Sequence, residues 1–243
     1  HGKFPPGCKK QIKHALKKIE KCMGQSFGDT ENPLLVSIRS GARQSMPGMM
    51  ETILNVGLTD YTILGLMAQT NNNRFAFDSY RRLMMMYSDV VMDKILKSSS
   101  KSFRAILENK LSDLKRNNNI TEDIFLTEKY LKNLCAQYQQ SIFKTFKVSF
   151  PQNPMNQLWG GIEAVFKSWD GKRAVEYRNI ENIPHTWGTA VSVQAMVFGN
   201  MGKDSATGVA FTRNPSTGQK EFFGEWLPNA QGEDVVAGVR TPF

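Results

Sequence analysis

Long apolar runs are missing from this sequence of 243 residues. Nowhere do the roughly 20 consecutive apolar side chains of a bilayer-spanning helix occur, so the expectation is of no membrane partner. No secretory leader pattern opens the chain. Cysteine is scarce: Cys8, Cys22 and Cys135 lie far apart, which excludes a disulfide framework and zinc-ligand spacing. All three are expected to be buried free thiols in a reducing compartment, with Cys8 and Cys22 on the apolar face of one helix. Of the three histidines, His14 and His185 have no neighbouring nucleophile or carboxylate to argue for catalysis. Two glycine loops are absent as well, G-x-x-x-x-G-K-[ST] and G-x-G-x-x-G, so neither a Walker loop nor a dinucleotide fingerprint is present. Internal repeats and low-complexity tracts are also missing.

Positive charge is in excess, with 31 Lys and Arg against 22 Asp and Glu for a net charge of +9. Such a balance raises the question of nucleic acid, and its placement answers it. Seven lysines between Lys3 and Lys21 share the wet face of one expected helix, and Lys94–Arg116 makes a second basic helical group. Clustered lysines separate from the aromatic and glycine motifs are a solvated face, because single-strand binders interleave the two. No nucleic-acid partner is expected.

Periodicity gives the organisation. Cys8, Ile12, Leu16, Ile19 and Met23 are spaced as an amphipathic helix. PLLVSIRS reads as a buried strand, and the pattern from Asp60 to Phe146 is nearly all helical. Helices are expected over 75–91, 103–114 and 130–146, with breaks at Ser98–Ser100 and Asn117–Asn119. Another helix follows Pro154 and stops at Asp170-Gly171. After Pro184, strands are expected at Thr189–Phe198, Thr207–Thr212, Lys220–Leu227 and Asp234–Arg240. The fold class is therefore α+β. The expected division is a first lobe over 1–58 and 147–186, a helical insertion over 59–146, and a small mainly antiparallel lobe over 187–243.

Three segments carry chemistry. In SIRSGARQSMPGMMET, Arg39 follows a strand and precedes Ser40-Gly41. Glycine lets backbone N–H groups approach an anion, and an arginine there grips phosphate oxygens bidentately. The competing use is an ion pair of the two arginines with Glu51 or Asp60, which is the expectation for Arg43. VSVQAMVFGN is an apolar strand with Gln194 inside it, running into Gly-Asn, the dry edge that a nucleotide base requires. TGVAFTRNPSTGQKEFFGEWLPNAQGEDVVAGVR carries Glu221, Glu225, Glu233 and Asp234 with Arg213 and Arg240. Mg²⁺ takes one or two carboxylates plus substrate phosphates, which such acids supply. The Met84-Met85-Met86 run is read as helix core and flank.

Together the stretches RSGARQSMPGMMETILNVGLTD, RFAFDSYRRLMMMYSDVVM, AVFKSWDGKRAVEYR, GTAVSVQAMVFGNMG and SATGVAFTRNPSTGQKEFFGEWLPNAQGEDVVAGVRTP closely resemble the pyruvate phosphate dikinase family, in the family's order, from about Phe27 to Phe243. The resemblance implies an ATP-grasp nucleotide-binding domain. In the family, ATP, phosphate and pyruvate interconvert with AMP, pyrophosphate and phosphoenolpyruvate. The nucleotide-binding domain phosphorylates a histidine on a separate swivelling domain, and Mg²⁺ and a monovalent cation (K⁺ or NH₄⁺) are cofactors. The full enzyme would be a homodimer, cytoplasmic or organellar. Matched residue by residue, the resemblance implies that Arg39 contacts ATP phosphates. It places Gln194, Met196 and Val197 around the adenine. Glu225, Gln231, Glu233 and Arg240 would face the triphosphate and metal, with Glu225 and Glu233 as metal ligands and Arg39 and Glu233 as catalytic groups. The family's glycine-rich segment with its phosphate-binding lysine, its acceptor-histidine domain and its barrel have no counterpart here. The chain, which opens at His1 without methionine, is accordingly expected to be a piece of a longer protein and inactive alone. The competing reading is a nucleotide-binding or sensing module without phosphotransfer.

Overall fold

The computed structural model describes residues 4–93, 102–236 and 241, apart from the side chains of Glu233 and Val236. It divides into two compact units, residues 1–196 and 197–243. The chain is α+β, and among the described residues the strands of both sheets pair antiparallel.

In the first unit, α1 (Cys8–Met23) turns its lysines to solvent and buries Leu16 and Glu20. Glu20 is tolerated inside because its carboxylate accepts from the Phe27 backbone N–H at 3.0 Å and pairs with Lys17 at 2.7 Å. Cys22 departs from the expected burial: it lies exposed at the border of the apolar face, Cys8 is half-buried, and only Cys135 is enclosed. Removal from water pushes the Cys135 thiol up to about 12, which leaves it unreactive at neutral pH.

A three-stranded sheet of order β2–β1–β3 forms the centre of this unit, from β1 (Val36–Ala42), β2 (Thr52–Val56) and β3 (Thr189–Ala195). The alternation of β1 decides its two faces. Val36 and Ile38 are fully buried beneath α6 (Pro154–Lys167), whose Gly161 leaves no room for a Cβ against the Ile38 Cδ1. Arg39 and Gly41 face the other way, into solvent. β2 carries one extra residue against β1, since Val36 pairs with Val56 while Ile38 pairs with Ile53. Asn55 takes up the bulge with φ 60°, a left-handed conformation that asparagine tolerates. Its Nδ2 donates to the Ser79 carbonyl at 3.2 Å.

α2 (Thr62–Thr70), α3 (Asn73–Tyr87), α4 (Phe103–Asn117) and α5 (Glu128–Phe146) bury Phe75, Leu83, Met84, Phe103, Leu107, Leu134 and Tyr138. Of these helices α3 packs against β2, and α2, α4 and α5 pack around α3. A π-helical turn, Ser88–Asp93, follows α3. Within this layer, Asp78 accepts from Arg81 and Arg82, and Arg81 also reaches Asp123. Burial acts to raise the Asp78 carboxyl, but the two guanidiniums outweigh it and hold it below the ordinary carboxylate range. α7 (Lys172–Ile180) was not legible in the sequence. It buries Arg178, whose guanidinium stacks 4.0 Å from the Trp169 ring and donates from Nε to His185 Nδ1 at 3.0 Å.

The second unit contains a two-stranded sheet, β4 (Ala206–Phe211) with β5 (Phe223–Pro228), and the short helix α8 (Gly232–Val236). The strand expected at Asp234–Arg240 is instead helical in its described part, since Asp234 Oδ2 accepts from the Gln231 N–H at 2.9 Å and closes the first turn. Residues 237–240 lie outside the described residues. β3, grouped by sequence with the later strands, pairs with β1 in the first unit, where its alternating, half-buried Val193 and Ala195 stand opposite Ile38 and Val36.

Candidate functional site

Register places the candidate residues of the first unit. Arg39 stands directly opposite Ser192 on β3 and Thr52 on β2. Directly opposed residues project to the same face of an antiparallel sheet, so two hydroxyl residues neighbour Arg39 on that face. Two residues along β1, on the same face, Ser37 is opposite Gln194. Arg39 and Gln194 are both exposed, whereas Ser37 is 1% exposed. The Arg39 Nε donates to Ser37 Oγ at 3.2 Å, and Ser37 Oγ donates to the Gln194 carbonyl at 3.4 Å. Among the described residues no carboxylate pairs with Arg39. Its side chain is thus tethered at Nε while the terminal NH₂ pair faces water. A guanidinium in that state keeps the planar two-donor fork that matches phosphate oxygens.

The glycine of this motif, Gly41, sits within β1 opposite Ala190 of β3, where a Cβ would make only ordinary contact with the Ala190 Cβ at 3.4 Å. The strand therefore continues through Arg39–Ala42, and Arg39 is held by a sheet. Arg43 forms no ion pair with Glu51 or Asp60, contrary to expectation. Glu51 receives Arg173 at 3.5 Å, and Asp60 accepts from Tyr80 and Gln139 at 2.9 and 2.7 Å. The Arg43 guanidinium lies 4.9 Å from the Trp187 ring, an aromatic partner that sequence spacing gave no reason to select.

Beyond Gln194, the Met196 N–H donates to the Leu35 carbonyl at 2.9 Å, and the Met196 side chain is half-buried.

In the second unit, Val197 is 89% exposed. Glu225 is exposed on β5 opposite Val209. Glu233 is the second residue of α8, and Arg240 lies outside the described residues. Gln231 is buried, with neither side-chain Nε2 nor Oε1 hydrogen-bonded. Gln157 in the first unit is equally enclosed but fully satisfied, accepting from the Gly57 N–H and donating to the Leu58 and Pro151 carbonyls. An unsatisfied buried amide costs about 1–3 kcal/mol, so Gln231 stands out as an unused polar group of its unit. The neighbouring loop carries a second such atom, Asn200 Oδ1, which was not singled out from the sequence. No group of three or more His, Cys, Asp or Glu that could hold a metal exists among the described residues. A lone carboxylate such as Glu225 suits Mg²⁺, which retains waters and takes phosphate oxygens as its remaining ligands. Nor is any helix among the described residues long and apolar enough to cross a membrane.

Comparison with known proteins matches this picture to a sequence family. The model described as "Pyruvate phosphate dikinase, AMP/ATP-binding domain" covers residues 1–242. A pyruvate, phosphate dikinase of Rhizobium meliloti is 50% identical over 98% of this chain and 26% of the relative. That of Clostridium symbiosum is 53% identical over 96% of the chain and 26% of the relative. The chloroplastic protein of Mesembryanthemum crystallinum is 51% identical over the whole chain and 25% of the relative. The chain thus spans about a quarter of the length of the curated relatives it matches. On the strength of a match that runs from end to end, the chain belongs to the pyruvate phosphate dikinase AMP/ATP-binding domain family.

Proposed function

We propose that this chain is the ATP-binding part of a pyruvate phosphate dikinase, on an ATP-grasp-like fold. It would pass a phosphoryl group from ATP to a histidine on a separate domain of the same polypeptide. The enzyme as a whole would interconvert ATP, phosphate and pyruvate with AMP, pyrophosphate and phosphoenolpyruvate. The observation that carries the reading is the Arg39 fork, tethered at Nε and without a carboxylate partner among the described residues, two residue pairs along the sheet from Gln194.

In this reading Arg39 grips the phosphates and neutralises charge as the phosphoryl group departs. Gln194, Met196 and Val197 border the adenine. Gln231 and Arg240 add polar contacts, and Glu225 and Glu233 would hold Mg²⁺ together with phosphate oxygens, so that the ion offsets phosphate charge. Catalysis would then consist of positioning and electrostatic stabilisation around in-line displacement, with no covalent role for these side chains. A monovalent cation, a dimeric state and the acceptor histidine belong to the full enzyme. The test is calorimetry with Mg-ATP on the full-length protein. Saturable binding with an affinity in the micromolar range is expected; no detectable heat at millimolar ATP would overturn the proposal.

A further inference from the structure

The open face of the first sheet contains a buried hydroxyl that neither composition nor motif singled out. Ser37 is 1% exposed, although its strand neighbour on the same face, Arg39, is open to water. Its single oxygen serves two partners. It accepts from Arg39 Nε at 3.2 Å and donates to the Gln194 carbonyl at 3.4 Å. A serine hydroxyl has one hydrogen to give, so donation to the carbonyl leaves its lone pairs turned to the guanidinium. The direction of the relay is therefore set by the backbone of β3.

The consequence lies in the arginine. A long side chain on an exposed strand samples many rotamers, and freezing them opposes ligand binding. Here one of five donors is already engaged, by an acceptor too buried to move, while the terminal pair stays free. The fork is held ready before any anion arrives. We propose that Ser37 is a positioning residue: its hydroxyl, anchored on the Gln194 carbonyl, pre-orients Arg39 for the phosphate chain of a nucleotide and ties that grip to the strand bordering the base. This rests on the reading of Arg39 and Gln194 given above, and it assigns Ser37 no contact with the ligand.

The relay predicts a phosphate-dependent defect. ATP and adenosine affinities would be measured by calorimetry on the full-length protein with Ser37, S37A, S37T and R39A. S37A should weaken ATP about 5- to 20-fold, the loss of an oriented charge-assisted hydrogen bond, and leave adenosine within about twofold. S37T restores the oxygen and should recover most of the ATP affinity. The Arg39 Nε–H resonance supplies a readout without ligand: slowly exchanging in the parent protein and in S37T, fast in S37A.

If R39A lowers ATP affinity but S37A does not, the relay is overturned while the role of Arg39 stands. If R39A itself binds ATP normally, the reading of the site fails first. An equal loss of ATP and adenosine in S37A would make Ser37 a support of the strand pair and overturn its positioning role. The Nε–H exchange rate in S37A decides the matter should S37T fail to fold.

Discussion

Two arginines of the first unit have opposite surroundings. Arg81, in the helical layer, is 3% exposed and spends its guanidinium on Asp78 and Asp123. Arg39, on the sheet, is exposed, and among the described residues only a serine hydroxyl holds it. The side chains are the same and their uses differ because carboxylates were supplied to one and withheld from the other. A buried cation without a counter-charge is strongly destabilising, so Arg81 must be paired for the helices to pack. An exposed cation with no acid beside it gives little to folding and retains its capacity for an incoming anion. In the function proposed above, the helical layer carries stability and the open face of the sheet carries recognition.

The contrast breaks first at Asp78. Replacing it by alanine leaves Arg81 and Arg82 without their shared carboxylate, and about 3–5 kcal/mol of stability should be lost. Thermal unfolding would read this as a drop of many degrees, while ATP affinity of the folded fraction stays unchanged. An unaltered melting temperature would show that the buried pairs do not sustain the layer. The same pairing has a pH signature. Asp78 is held below the ordinary value of about 3.9, so the folded state binds its proton less readily than the unfolded chain does. Its contribution is complete above about pH 4 and declines as pH falls further toward the depressed folded-state value. Acid titration of the parent protein should therefore be steeper below pH 4 than that of Asp78→Ala.

A smaller effect sharpens the comparison from the other side. Arg43 shares the motif with Arg39 but lies against Trp187. An exposed cation–π contact contributes about 0.5–1 kcal/mol. Arg43→Ala should thus shift unfolding by that amount in denaturant titration, with ATP affinity changed less than twofold. A large loss of ATP affinity would move Arg43 from the structural to the recognition class.

The helices were the legible part of the fold. Ile12, Leu16 and Ile19, or Leu131, Leu134, Tyr138 and Ile142, repeat at helical spacing over several turns, and α1 and α5 follow them. Short elements were less legible. β2 has five residues, and its bulge at Asn55 interrupts the alternation that would reveal it. The Val235-Val236 pair suggests a strand, yet the Asp234 carboxylate on the Gln231 N–H starts a helical turn there. Of the site, Arg39 and Gln194 were legible as residue types at a strand's end and within a strand. That they stand two pairs apart on one face, with Ser37 joining them, follows from the register of β1 on β3. Register depends on residues such as Ser37 and Gln194, 157 positions apart in sequence, meeting across a sheet, which no local pattern encodes. Trp187 beside Arg43 was hidden for the same reason.

The account turns on the unpaired fork of Arg39, and calorimetry of Arg39→Ala in the full-length protein tests it most directly. Loss of a bidentate charged contact is worth about 3 kcal/mol, roughly 100-fold in affinity. The prediction is ATP binding weakened by that factor, adenosine binding unchanged, and a melting temperature within about 1–2 °C of the parent. ATP bound as tightly as by the parent protein would contradict it.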